Sequence, residues 1–439
     1  MRKVFKSPVP SGLKFAERRR FISGTLAVGA SHISVGSALI GLRPSHALAS
    51  SSEGGAQSAP GAELQRAINS GVAVVEVSAP VSIASTVYLA ANQTLKFAGN
   101  GSLVLTRGFK SDEGAIHGKG LAATHLVRPV IDASATAGAA GIVLVDCSDP
   151  WVEAANLTKC SIVLHGNCNT TIRNYRIDAP KVNLAGFMTT ALYISGIKGC
   201  RVLTPTLFGG KEGVGIYNGA RDVGVNGGHS YGHSGDGFII FNGQDISLSG
   251  MEAYQNGQSG FATQRFTSAE NCRRVTVKDC SSHHNKYDGF DLRGGIEKPF
   301  AEPYDVTVDS CKAWKNEGTG FYVVNAGGAY LKKCNAANNA LQGFAINTSD
   351  GVELLACEAS GNAGAAKSSG GNKSGIWIYN SRKFIAKDCV SDNALGLVQD
   401  YALGFSGDCP NYFIDGGRYV NGMQGVIYKP AGSAGSIRI

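Results

Sequence analysis

Asp291 and Arg293 stand two residues apart, the spacing that sends both side chains to the same face of a β-strand. A guanidinium there can neutralise a substrate carboxylate and so acidify the adjacent C–H. The carboxylate can orient a base or hold a cation. Gln264 falls at the position of Arg293 one repeat earlier, with Arg265 beside it. Tyr287, His284 and Lys286 lie just upstream as candidates to take the proton. Glu212, Asp236 and Asp288 each immediately precede a glycine, which suits a simple Asp-Gly turn as well as chemistry. Asp236 and Asp288 would stand about 10 Å apart, slightly beyond the separation of an inverting carboxylate pair.

These residues need a scaffold, and a recurring glycine followed by a bulky apolar residue supplies it. Gly213-Val214 leads the series, then Gly237-Phe238, Gly260-Phe261, Gly289-Phe290, Gly320-Phe321, Gly343-Phe344, Gly375-Ile376, Gly404-Phe405 and Gly425-Val426. The unit is about 23 residues, lengthened in some copies by loops, and such a period means stacked supersecondary units. Each glycine opens an apolar/polar alternation that reads as a strand, such as Phe321-Tyr322-Val323-Val324-Asn325. No helical periodicity separates these strands, so the fold expected is all-β: a parallel β-helix, right-handed as parallel crossovers are.

Three further columns keep the same phase. Met251, Cys280, Cys311 and Cys334 fall nine residues before the glycines and read as interior packing. His233, Asn256, Asn285, Asn316 and Asn339 fall four before and read as a hydrogen-bonded ladder. Asn218, Asn242, Asn325 and Asn380 fall five after, at another corner, where Arg265 and Gly294 break the column. Both breaks adjoin loop insertions, 266–273 and 295–304, the latter holding Glu297, Lys298 and Glu302. A break in a consistent pattern marks a functional or strained place. Alternatively, the corner merely loosens to admit two loops and Asp291–Arg293 is a surface ion pair.

On the outward face the register predicts an inner column of Tyr193, Gly215, Ile239, Ala262, Asp291, Tyr322, Ala345 and Trp377. The outer column is Ser195, Tyr217, Phe241, Gln264, Arg293, Val324, Asn347 and Tyr379. Aromatics at both ends with a polar centre suit a linear oligosaccharide: Tyr217, Phe241, Tyr322, Trp377 and Tyr379 would carry sugar rings, with Gln264 and Arg265 between. His233 belongs to the ladder, and His283 and His284 to a solvated turn.

Arg18-Arg19-Arg20 precedes a mild apolar run and Ala47-Leu48-Ala49, the pattern of a twin-arginine export signal over 1–49. The mature protein is then expected in the periplasm or outside the cell, with no stable membrane insertion. Residues 50–62 read as a linker and 63–439 as the β-helix, its open end capped by a short helix over Ala62–Asn69. The first 49 residues carry a net +7 of the chain's +8, so the basic balance gives no argument for nucleic acid. Eleven cysteines without a CxxC pair read as buried thiols.

The helix, the Val-rich strand after it and Gln93-Thr94-Leu95-Lys96-Phe97-Ala98-Gly99-Asn100-Gly101 resemble the opening of the pectate-lyase-like superfamily of right-handed β-helix proteins. That resemblance implies proteins that bind, cleave or epimerise long glycans. The segment Tyr287-Asp288-Gly289-Phe290-Asp291-Leu292-Arg293 is similar to the Tyr-Gly-Phe-Asp-Pro-His run of alginate C5-epimerases, with Leu292 for Pro, Arg293 for His and one residue inserted. It implies that Tyr287, Asp291 and Arg293 face a uronate.

Three readings follow. One is a lyase- or epimerase-type enzyme on a uronate-containing polysaccharide, using Asp291, Arg293, Asp288, Tyr287 and His284. A divalent cation such as calcium is compatible with it, and no organic cofactor is expected. Another is a glycoside hydrolase using Asp236, Asp288 and Asp291. The last is a solenoid that binds glycan without chemistry.

Overall fold

The computed structural model describes residues 60–439 apart from 110, 137–138, 168–173, 265–271, 295–303, 365–372, 394–398 and 430–433. The segments expected as an export signal (1–49) and, for the most part, as a linker (50–62) lie outside the described residues. The helix runs Pro60–Asn69 and so begins ahead of the expected Ala62, because proline suits a helix's first turn. Leu64 and Ile68 on its inner face are fully buried, as a solenoid cap requires.

Every coil contributes one strand to each of three parallel sheets of 15, 14 and 14 strands among the described residues. Sheet A starts at Val74–Val77, sheet B at Pro80–Ile83 and sheet C at Val87–Tyr88. The Gly-Phe strands form sheet C, where Phe261, Phe290, Phe321 and Phe344 are register partners in turn. Parallel strands place like positions about 4.8 Å apart, which is the stacking distance of an aromatic ring. Phe238, Phe261, Phe290, Phe321 and Phe344 accordingly stack inside the rod with centroids 4.6–4.9 Å apart.

The asparagine ladder lies beside this stack. Asn256, Asn285, Asn316 and Asn339 each donate from Nδ2 to the next Oδ1 at 2.9–3.0 Å, and Asn362 ends the described run. The same Oδ1 atoms accept the preceding backbone N–H, so one buried amide satisfies two donors. The glycine makes room for it. A Cβ on Gly320 would come within 2.7 Å of Gly343 O and 2.9 Å of Asn339 Nδ2. His233 starts the column with a different chemistry: Nδ1 binds Gly209 O, Nε2 meets Ser230 Oγ at 3.0 Å, and burial lowers its pKa to about 4.

The corner asparagines have another cause. Asn218, Asn242, Asn325 and Asn380 all hold left-handed backbone, φ 44–55°, which asparagine tolerates better than most residues. Gly294 does not share that φ; a Cβ there would sit 2.1 Å from Asn325 O. The thiol column is interior packing, as expected. Cys280, Cys311, Cys334, Cys357 and Cys389 donate to carbonyls one coil away, and all ten cysteines among the described residues are free and buried.

Two measurements check this interior. Asn316→Ala strips the acceptor from two Asn285 donors, so denaturant unfolding will show a loss of about 2–5 kcal/mol. Native protein will resist iodoacetamide at these ten thiols, and unfolding will expose them all to labelling.

Candidate functional site

The strand Phe290–Arg293 carries the polar centre of sheet C's outer face. Register pairing reproduces the inner column Tyr193, Gly215, Ile239, Ala262, Asp291, Tyr322, Ala345, Trp377. In the outer column Arg293 pairs with Val324, then Asn347, then Tyr379. Gln264 pairs with Phe241 through its backbone. The side chain of Gln264, all of Arg265 and the two loops with Glu297, Lys298 and Glu302 lie outside the described residues.

Arg293 Nε donates to Asp291 Oδ2 at 2.7 Å, and its guanidinium carbon lies 5.5 Å from the Tyr322 ring centre. Burial works against the Arg293 charge, but Asp291 outweighs it and the pKa rises further. Tyr322 OH accepts from Asn347 Nδ2 at 3.0 Å, and burial raises its pKa, so the phenol keeps its proton. Asp288 Oδ1 accepts from Thr319 N at 2.7 Å. Its pKa is pushed up to about 7, first by burial and then by the charge of Asp291; the Thr319 amide and Arg293 pull back. One coil thus holds two interacting carboxyls, one paired with arginine and one poised near neutrality, beside a phenol donor on the next coil.

The expected open strip needs correcting. Asp291 is only 3% exposed, and Tyr217 and Phe241 are 9% and 8% exposed. Tyr193, Tyr217 and Phe241 stack at 4.8 and 5.4 Å and enclose Ile239 and Ala262 in a small core outside the sheet. Rings on successive coils use their faces on each other, and Tyr217 in the middle has both faces covered. At the other end Trp377 and Tyr379 stay partly exposed, 5.4 Å apart, with Trp377 Nε1 donating to Ser406 Oγ.

Asp236 accepts from Ser259 N at 2.8 Å just as Asp288 does from Thr319, so a repeated turn bond underlies both. Asp236 is buried two coils away. Glu212 accepts from Thr190 Oγ1 and Tyr217 OH and pairs with Lys211. Tyr287 is 43% exposed at the rim, and Lys286 is exposed beside it. His284 is not brought to the Asp291 strand. Its Nδ1 meets His283 Nδ1 at 2.8 Å, and its ring stands edge-on to that of His283, which belongs to sheet B.

That sheet carries a feature the sequence reading missed. Phe208, Tyr231, Tyr254, His283 and Trp314 form an outward ladder with centroids 4.3–5.1 Å apart, stacked from Tyr231 onward and with Phe208 tilted by 37°. Its signal was present: an aromatic ring two residues before His233, Asn256, Asn285 and Asn316. Among the described residues, no group of three or more His, Cys, Asp or Glu is placed to hold a metal ion. None of the described helices is long and apolar enough to cross a membrane.

With this geometry the chain is a right-handed parallel β-helix protein. A family model described as the right-handed beta helix region matches residues 301–390. No curated protein matches the chain. Among solved structures, the siphovirus 9NA tailspike receptor binding domain is similar at TM-score 0.52 and 11% identity, over 86% of this chain and 76% of that one. The receptor-binding protein of bacteriophage Det7 is similar at TM-score 0.50 and 13% identity, over 84% and 78%. The mannuronan C-5 epimerase AlgE4 A-module of Azotobacter vinelandii gives TM-score 0.44 and 13% identity, over 86% and 95%. These likenesses are of fold.

The raised Asp288 pKa has a testable sign. The folded chain keeps the Asp288 proton up to about pH 7, whereas an unfolded aspartate loses it near 4. Stability therefore falls as pH rises through that window. Asp288→Asn retains the acceptor for Thr319 and removes the titration. Its unfolding midpoint will gain on that of the wild type between about pH 4 and about pH 7; parallel pH curves would contradict the assignment.

Proposed function

We propose that this chain processes a uronate-containing polysaccharide by proton transfer at the sheet C site. The observation that carries the proposal is Asp288, poised near neutrality beside the Asp291–Arg293 pair. The site, and not the fold, supplies the argument, since one fold hosts many chemistries.

Asp291 engages Nε of Arg293, which directs the guanidinium's remaining donors to a substrate carboxylate. Neutralising that carboxylate acidifies C5–H, and ionised Asp288 takes the proton. The electron pair delocalises into the uronate carboxyl as an enolate held by Arg293. In elimination the C4–O4 bond then breaks, the C4=C5 double bond forms, and Tyr322 protonates the departing oxygen. In epimerisation Asp288 keeps the proton it took, and C5 receives one on the other face from the Tyr322 phenol. Asp288 replaces Tyr287, His284 and Lys286 as the favoured base. The interaction of Asp288 and Asp291 favours one further reading, a hydrolase in which protonated Asp288 serves as acid and Asp291 as its partner.

Purified protein incubated with alginate and polygalacturonate separates these readings. Elimination gives an unsaturated product with rising ultraviolet absorbance, epimerisation changes uronate stereochemistry, and hydrolysis gives new reducing ends alone. Asp288→Asn will slow turnover by about 10²–10⁴-fold. A glycan panel that yields no product, in wild type and Asp288→Asn alike, would leave binding without chemistry as the function.

A further inference from the structure

The sheet B ladder ends abruptly at Trp314. Below it, His283 covers one indole face at 4.3 Å and 25°. Glu252 fixes His283 through Nε2 at 3.1 Å and also meets His229 Nδ1 at 2.9 Å, so the supporting imidazole is held from the side. Above Trp314 the same column continues with Ala337 and then Ser360. A methyl group and a hydroxymethyl group cannot cover an indole, and Trp314 remains partly exposed. The ladder therefore leaves one flat aromatic face looking along the rod over a two-coil step.

The neighbouring outward column gives this step a polar wall. Lys312, Asn335 and Glu358 are register partners in order, and Asn335 Nδ2 donates to Glu358 Oε2 at 3.0 Å. Lys312 and Glu358 are exposed. A flat apolar face flanked by an amide, a carboxylate and an ammonium matches one ligand chemistry well: a pyranose ring, whose C–H face is apolar and whose rim carries hydroxyls. A purely apolar partner would leave the polar wall unsatisfied, and the mixed charges do not favour a polyanion.

We propose that Trp314, with Asn335, Glu358 and Lys312, forms a second glycan-binding site on sheet B, which stacks a pyranose unit of a polysaccharide. Trp314 lies on the same coil as Tyr322, one turn ahead of it, so a long chain held at Trp314 stays close to the sheet C site. The inference shares with the proposed function only the choice of glycan as ligand.

The test is affinity electrophoresis of the full chain in gels holding dextran, xylan, galactomannan, polygalacturonate or alginate. Two variants are used. Trp314→Ala removes the platform. Ala337→Trp continues the ladder by one ring and covers the platform while keeping it. Wild type will be retarded by at least one polymer, and both variants will lose about tenfold in apparent affinity. Asp288→Asn will be retarded as the wild type is. Ala337→Trp guards against misfolding, because it adds a stacked ring and empties no space. Wild-type retardation in both variants, or no retardation of the wild type by any polymer, would overturn the site. Catalytic turnover with unaltered retardation of the Trp314 and Ala337 variants would sink this inference alone. Retardation through Trp314 without turnover would sink the catalytic proposal alone.

Discussion

The buried hydrogen bond between successive asparagine amides sets the geometry of everything else in this rod. Each bond ties a turn to the next coil, and each amide oxygen also satisfies a backbone N–H that water cannot reach. The glycine four residues later exists because the ladder and the neighbouring backbone leave no volume for a Cβ. The phenylalanine after it then stacks at the coil spacing. Asparagine, glycine and phenylalanine are thus one device, and a slip of one residue would turn every sheet C side chain over.

That fixed register is what makes the Asp288–Asp291 arrangement possible. Asp288 stands directly before a repeat glycine, so its carboxyl is tethered to the Thr319 amide by the same turn bond that Asp236 makes. Asp291 follows three residues on, as the second residue of the strand, locked by Arg293. Two carboxyls that the chain would otherwise separate are held close enough for one charge to oppose the other. Asp236 has the same tether without an arginine-paired neighbour in its strand, where Ile239 occupies the position of Asp291. The repeat explains the tether and the burial that first raises the proton affinity of Asp288, and the departure from the repeat adds the charge of Asp291.

Much of this was legible in the residues. The period gave the solenoid, the Asn256-to-Asn339 column gave the ladder, and alternation from the glycine gave both sheet C columns. What the pattern could not convey was coverage. The outward phase of Tyr217 and Phe241 suggests a sugar platform, but rings one coil apart close on each other and shut the face. Proximity in sequence groups His284 with Asp291, whereas the turn carries it to sheet B beside His283. The ladder ending at Trp314 has a phase of its own, an aromatic ring two places before each ladder residue from His233 to Asn316, distinct from the glycine that marks sheet C. The position of Asp288 before a repeat glycine is plain in the sequence, but its perturbed proton affinity comes from burial and the charge of Asp291, which the pattern does not convey.

A carboxyl titration of Asp288 tests the central claim most directly. The protein would be labelled with ¹³C-aspartate, with Asp288→Asn used to assign the signal and Asp291→Asn as the comparison. The account predicts a carboxyl titrating at about 7 in the wild type, falling when the charge of Asp291 is removed. A signal in the ordinary carboxylate range, unmoved by Asp291→Asn, would contradict it.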